Sequence, residues 1–333
     1  MKSMAGFGGG VASLSMKSGG GFESIDIQLT AQSTGTTFGS YSLVNTFNQT
    51  ITTNWGYNGY FAFVVPNDDT YRIMTRGANG TYAGVSSPSP ENYGAEIVAD
   101  IPVTKGWIIL FIAGQTGGVT SDNEGSGGGG MSAVAYTTNT SNSTASVAAA
   151  NPLVVGGGGG GACLNRTGQD NARGYGNING TYSQMVIGKA GLASGYSTLG
   201  HGWTVGGGGE ATNGTYNIAG WNGGGFNSSG SGNSARSGGS HGNGFKQGAV
   251  GGANQGGNNG GGFGGGGGGA NNCGYGGGAG GYSGGGSGGY SGGCGGHGGG
   301  GGSWSLSSAN LVSAQNYNTR YGYVRIRSSD QYP

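Results

Sequence analysis

The chain has 333 residues, of which 89 are glycine, and its 13 basic and 12 acidic residues leave a net charge of +1. So little charge excludes an electrostatic attraction to nucleic acid or to an anionic membrane surface, and it argues against disorder, since disordered chains are typically charge-rich. Collagen is excluded as well, because there are only six prolines and the three-residue glycine period breaks, for example at Ser283.

Residues 1–22 form a glycine-containing lead. Glu23 to Thr30 then alternates, with Ile25, Ile27 and Leu29 on one face, which predicts a half-buried strand. A second strand region is expected over Tyr41 to Thr53. Tyr60 to Val65 predicts a strand that Pro66 and the turn residues Asn67 to Asp69 end. Tyr71 to Arg76 predicts the next, stopped at Gly77. Ile97, Ala99, Ile101 and Val103 share a face, and Lys105-Gly106 turns the chain into the apolar run Trp107 to Ala113. Met131 to Tyr136 should pair with Pro152 to Val155 across a Ser/Thr/Asn loop. Near the end, Tyr321 to Arg327 alternates with Val324 and Ile326 inward. No window holds a helical period without glycine, so no helix is expected. No apolar stretch approaches the roughly 20 residues of a membrane span.

Glycine dominates residues 156–302. The runs Gly156 to Gly161, Gly206 to Gly209, Gly223 to Gly225, Gly260 to Gly269 and Gly298 to Gly302 lie between strand-patterned segments. Ordering glycine costs more backbone entropy than ordering any other residue, and few side chains are present to offset it. Main-chain hydrogen bonding is the remaining resource. An extended three-fold helix directs its N–H and C=O groups outward, so several such helices can pack closely and bond to one another. Non-glycine residues are then expected only on the surface of the bundle. Ala279, Tyr282, Ser291, Cys294 and His297 share one period-three register, although Ser283, Ser287 and Tyr290 lie off it.

The order of these features resembles the glycine-rich domain of the anaplastic lymphoma kinase and leukocyte tyrosine kinase receptors and of secreted glycine-rich proteins. The resemblance rests on Phe63-Val-Val-Pro66, Tyr71-Arg-Ile73 leading to Gly77-Ala-Asn-Gly80, and Gly94-Ala-Glu-Ile-Val98. It continues through Gly106 before Leu110 to Ile112, Gly114-Gln-Thr-Gly-Gly118 and Gly127 to Gly130 before Met131-Ser-Ala-Val134. Its last elements are Pro152-Leu-Val-Val155 before Gly156 to Gly161, Gly298 to Gly302 with Ser303-Trp304, and Gly322-Tyr-Val-Arg-Ile326. It covers residues 55–327 and implies an all-β, jelly-roll-like β-sandwich with an inserted layer of packed polyglycine-II helices. Residues 1–54 form an N-terminal segment outside it. No kinase, membrane segment or cysteine-rich module accompanies the match, and the receptors' ligand-binding residues have no counterpart here. The glycine tracts alone also resemble those of phage tail-tip adhesins.

Chemistry is sparse. Gly188-Lys189-Ala190 lacks the hydroxyl of a phosphate loop. His201, His241 and His297 lie far apart, and no acid stands between Glu210 and Asp330 to orient a triad. Neither a catalytic residue, a cofactor-binding residue nor a metal site is therefore assigned. Cys273 and Cys294 are the candidate disulfide among three cysteines, with three reduced thiols as the other reading. Sequons at Asn48, Asn79, Asn139, Asn142, Asn165, Asn179, Asn213 and Asn227 are candidate N-glycosylation sites, slightly more than the composition would give. Tyr275, Tyr282, Tyr290 and Trp304 either offer a platform for sugars or cover the glycine layer.

The expected function is that of a secreted structural glycoprotein, a subunit of an extracellular fibre, coat or matrix. It would self-associate and carry glycans, with no enzymatic activity, no cofactor, no nucleic-acid partner and no membrane span. The first 16 residues lack a signal peptide's apolar core, so either a signal has been removed or secretion takes another route. Ile25, Ile27 and Leu29 mark a candidate assembly strand that completes either its own sandwich or that of a neighbouring copy. The alternative is a receptor-like or adhesin-like recognition module that uses the loops between glycine helices.

Overall fold

The computed structural model describes residues 24–81, 92–118, 125–162, 220–231, 239–254, 260–270, 275–288, 290–291, 294–295, 297–306, 309–317 and 320–328. The strands are β1 (Asp26–Ala31), β2 (Tyr41–Asn45), β3 (Thr52–Thr53), β4 (Phe61–Val64), β5 (Asp69–Arg76), β6 (Gly94–Val103) and β7 (Ile108–Ile112). They continue with β8 (Ser132–Thr137), β9 (Asn151–Gly156), β10 (Tyr290–Ser291), β11 (Cys294–Gly295), β12 (Trp304–Ser305), β13 (Asn310–Tyr317) and β14 (Tyr323–Arg327).

Two six-stranded antiparallel sheets form a β-sandwich. The first has the order β13-β6-β5-β14-β1-β2 and the second β12-β9-β8-β7-β4-β3. Period-two apolar patterning sets the register. Ile27 lies opposite Ile326 and Leu29 opposite Val324, while Ile73 lies opposite both Ile326 and Ala99. These side chains are buried against Phe61, Phe63, Phe111 and Val134 of the facing sheet. Burying each large apolar side chain contributes about 1.5–3 kcal/mol.

The run Trp107 to Ala113 lacks alternation because the second sheet is covered on both faces. Ile109 and Phe111 join the sandwich core. Ile108, Leu110 and Ile112 instead meet Phe226, Phe245, Phe263 and Tyr282 from the glycine-rich half. Phe38 bridges the two regions, with its ring 5.7 Å from that of Phe61 and 5.1 Å from that of Phe263.

Several glycine segments are prolongations of strands. Residues 77–81 extend β5, 114–118 extend β7, 125–131 lead into β8 and 157–162 extend β9. Their main chains bond in steps of three. Ser126 and Gly129 N–H groups donate to Ala162 and Gly159, at 3.0 and 2.8 Å. Gly127 and Gly130 donate to Gly118 and Gln115, at 3.3 and 3.0 Å. Gly128 and Met131 donate to Gly267 and Gly264, at 3.0 and 2.8 Å. Successive residues thus bond in turn to three different neighbours. The same step recurs where Gly277 and Gly280 donate to Ser126 and Gly129, and where Gly298 and Gly301 donate to Gly161 and Gly158. Buried main-chain groups need partners, and this lattice supplies them without side chains.

Two sequence expectations fail, and one strand was not foreseen. A short helix, α1 (Thr144–Ala148), forms in the loop before β9, capped by the Ser143 hydroxyl accepting from the Ser146 N–H. Non-glycine residues are not confined to the surface, because Ala279, Ser283, Ser287 and His297 are buried in the glycine layer. Finally, β13 was absent from the expectations. It is an edge strand with Leu311 and Val312 both exposed and a register shift between Leu311 and Ser313, so it shows no alternation.

Candidate functional site

The outer face of the first sheet gathers charge. Alternation turns Ile27, Ile73, Val324 and Ile326 inward, so Asp26, Arg72, Arg76, Glu96, Asp100, Arg325 and Arg327 point outward. Four of the chain's 13 basic and three of its 12 acidic residues therefore share one face. They largely satisfy one another. Arg72 donates twice to Asp100, at 2.8 and 3.0 Å, and Arg325 donates twice to Asp26, at 3.0 and 2.8 Å. Arg76 donates to Glu96, whose other oxygen accepts from Gln315 at 2.8 Å. The hydrogen bond to Asp26 raises the Arg325 pKa. Tyr323, with Arg76 5.1 Å over its ring, donates to Gln28 at 3.1 Å. Burial raises its phenol pKa. Solvent-exposed ion pairs contribute about 0–1 kcal/mol each, whereas these are only partly exposed and Glu96 is buried. With Arg72, Arg76 and Arg325 already holding carboxylates, the face offers little to an anionic ligand.

A second gathering is aromatic. Trp304, Tyr282, Phe226, Phe245 and Tyr60 form a row with centroid separations of 5.2, 6.3, 4.6 and 5.0 Å. Tyr282 lies inside this row, so it covers the second sheet, and only Trp304 is half-exposed. Tyr275 packs with Trp221 and Ala270 in a small separate cluster. The Lys246 ammonium stands 5.7 Å over Phe226, and burial lowers its pKa.

The residues singled out from sequence are dispersed. Ile25, Ile27 and Leu29 are fully buried, and β1 is held between β14 and β2 of its own sheet. Of the sequons, Asn48, Asn139, Asn142 and Asn227 are exposed. Asn79 is fully buried, and its side-chain oxygen accepts from the Gly94 N–H at 3.0 Å. That packing leaves no room for a sugar. Asn165, Asn179 and Asn213 lie outside the described residues, as do His201 and Cys273 of the candidate disulfide. His241 accepts from the Asn222 N–H at 2.9 Å. Among the described residues no three His, Cys, Asp or Glu side chains cluster as a metal site would require, and no helix is long and apolar enough to cross a membrane.

The charged face was missed from sequence. Its signal was present in Arg72 and Arg76, Glu96 and Asp100, and Arg325 and Arg327, each pair at an even spacing on a strand. Comparison with protein-family models and with curated protein sequences finds no match to this chain.

Proposed function

We propose that the chain is a secreted structural glycoprotein, a subunit of an extracellular fibre, coat or matrix that assembles by strand addition. The rigid body of that subunit would be a jelly-roll-like sandwich carrying packed polyglycine-II helices, as in the glycine-rich receptor domains it resembles. The observation that carries the reading is the lattice itself. A segment such as 126–131 bonds to three neighbours in turn, and carbonyl oxygens fill the places where Cβ atoms would stand. A Cβ on Gly158 would lie 2.3 Å from the Gly129 oxygen, and one on Gly160 would lie 2.0 Å from the Gly298 oxygen. The glycine layer, in its described segments, is almost uncharged and exposes little chemistry. It suits a building block better than a reaction vessel, and the reading assigns it no catalytic step.

Sedimentation velocity and negative-stain imaging of the purified chain over a rising concentration series test this. Filaments or growing oligomers are the expected result. Monodisperse particles that bind a cell-surface ligand would overturn it in favour of a recognition module.

A further inference from the structure

Among the described residues, no strand lies beyond β2 or β13 at the two ends of the first sheet. Natural proteins blunt such edges with charges, prolines or very short strands. The second sheet does so, since its edges β3 and β12 are two residues long. The edges of the first sheet are five and eight residues long and contain neither charge nor proline. Its charges stand instead on the central strands β1, β5, β6 and β14. Charge therefore sits inside this sheet and not at its ends, where the register shift on β13 is the blunting feature present.

The same edges expose apolar side chains. Val44 and Phe47 are 47% and 39% exposed beside β2, and Leu311 and Val312 are 39% and 46% exposed on β13. Main-chain groups are available too. Thr46 N–H donates to the Asp26 carbonyl and Gln32 N–H to the Ser40 carbonyl. Even-numbered residues of β2 therefore face β1, and antiparallel alternation turns the Leu43 main chain outward. On β13 the shift between Leu311 and Ser313 bends the edge, but Ser313 to Tyr317 stay in continuous register with β6.

We infer that the β2 edge of one copy pairs with the β13 edge of the next, so that the first sheet runs on from copy to copy. A second copy is the fitting occupant because the two uncharged edges lie at opposite ends of one sheet. Repeating a single displacement brings each edge to its complement, places no charged residue of either strand in the ladder and sets the exposed apolar side chains at or beside it. A ladder along β2 would span about 17 Å. The contact is heterologous, so it propagates as an open filament when the rotation between copies does not close a ring. The inference rests on the assembly reading above and names its interface. It replaces exchange of β1, which is already paired on both sides.

The test uses two variants, Val44→Lys/Phe47→Lys and Leu311→Lys/Val312→Lys, with thermal melts to verify folding. The single variants Val44→Lys and Val312→Lys replace any double variant that does not fold. Light scattering after gel filtration should show the unaltered chain growing in mass with concentration and each variant remaining monomeric. An equimolar mixture of the two should stop at a dimer, since each retains one working edge. Variants that assemble like the unaltered chain would overturn the interface and leave the assembly reading intact. Dimers from a single variant would overturn the head-to-tail geometry. An unaltered chain that stays monomeric at every concentration would defeat the assembly reading itself.

Discussion

The Gly158 N–H donates to the Gly280 carbonyl at 2.8 Å, joining two glycine tracts that lie far apart in the chain, and Gly161 repeats the contact with Gly277. The three-residue step gives the described tracts that share it a fixed register against their neighbours. A single added methyl group should therefore disturb several tracts together.

Gly159→Ala tests this directly. Its Cβ would lie 1.9 Å from the Asn92 oxygen and 2.5 Å from the Asn92 carbonyl carbon, and main chain cannot swing aside. The expected loss is about 3 kcal/mol or more. Gly106→Ala is the comparison, because there only the backbone angle of φ +86 opposes a side chain and the space is open. It should cost about 1–2 kcal/mol. Urea unfolding followed by circular dichroism reads both, and equal losses would count against the lattice as the cause.

Ile27→Ala should destabilise by about 2–5 kcal/mol, as truncation in a packed core does. Val44→Ala on the neighbouring strand should stay within about 0.5 kcal/mol because Val44 faces solvent. A small effect at Ile27 would show that β1 leaves its own sheet in solution.

Thr75 is fully buried, and its hydroxyl has no hydrogen-bond partner. Thr75→Val keeps the branched shape and removes the stranded polar atom. A stabilisation of about 1 kcal/mol is expected, measured as a higher urea midpoint with an unchanged slope. A loss would reveal a partner for that hydroxyl.

Stability should fall on the alkaline side. Tyr60 is buried and donates to the Phe245 carbonyl, and burial raises its pKa well above the ordinary 10.0. Tyr282 is raised for the same reason. Above about pH 10 the unfolded chain releases these protons while the folded chain keeps them. Their contribution is therefore complete below that pH and is lost as pH climbs toward the folded values. Lys246 has the opposite sign, since its lowered pKa lets stability recover slightly as pH rises toward the ordinary 10.5. Tyr60→Phe should lose about 1–3 kcal/mol at neutral pH by orphaning the Phe245 oxygen, and should show a shallower alkaline decline. Phenolate absorbance during the titration checks which tyrosines wait for unfolding.

Glycopeptide mass spectrometry of the chain from a secreting host should find sugar among Asn48, Asn139, Asn142 and Asn227 and none at Asn79. Asn79→Ala should cost about 1–3 kcal/mol by stranding the Gly94 N–H. Sugar at Asn79 would mean that this corner of the layer opens before folding is complete.

Most of the sandwich was legible in the residues. Ile25, Ile27 and Leu29, the Ile97 to Val103 alternation and the inward pair Val324 and Ile326 are local patterns, and two-residue periodicity reports directly which face is buried. The unalternating run Trp107 to Ala113 was readable as a strand, though not as one covered on both faces, because its second cover comes from Phe226, Phe245 and Phe263 much later in the chain.

Sequence by itself determined the all-β class, the strand faces and the need for glycine to be ordered by main-chain bonding, since each follows from composition and short-range pattern. Only the tertiary structure decided which glycine tracts pair, that segments 77–81, 114–118 and 125–131 join them, that Asn79 is enclosed, and that β2 and β13 stand at the two ends of the first sheet. Those outcomes depend on contacts between distant segments whose glycines are chemically identical. No local pattern can distinguish one such partner from another.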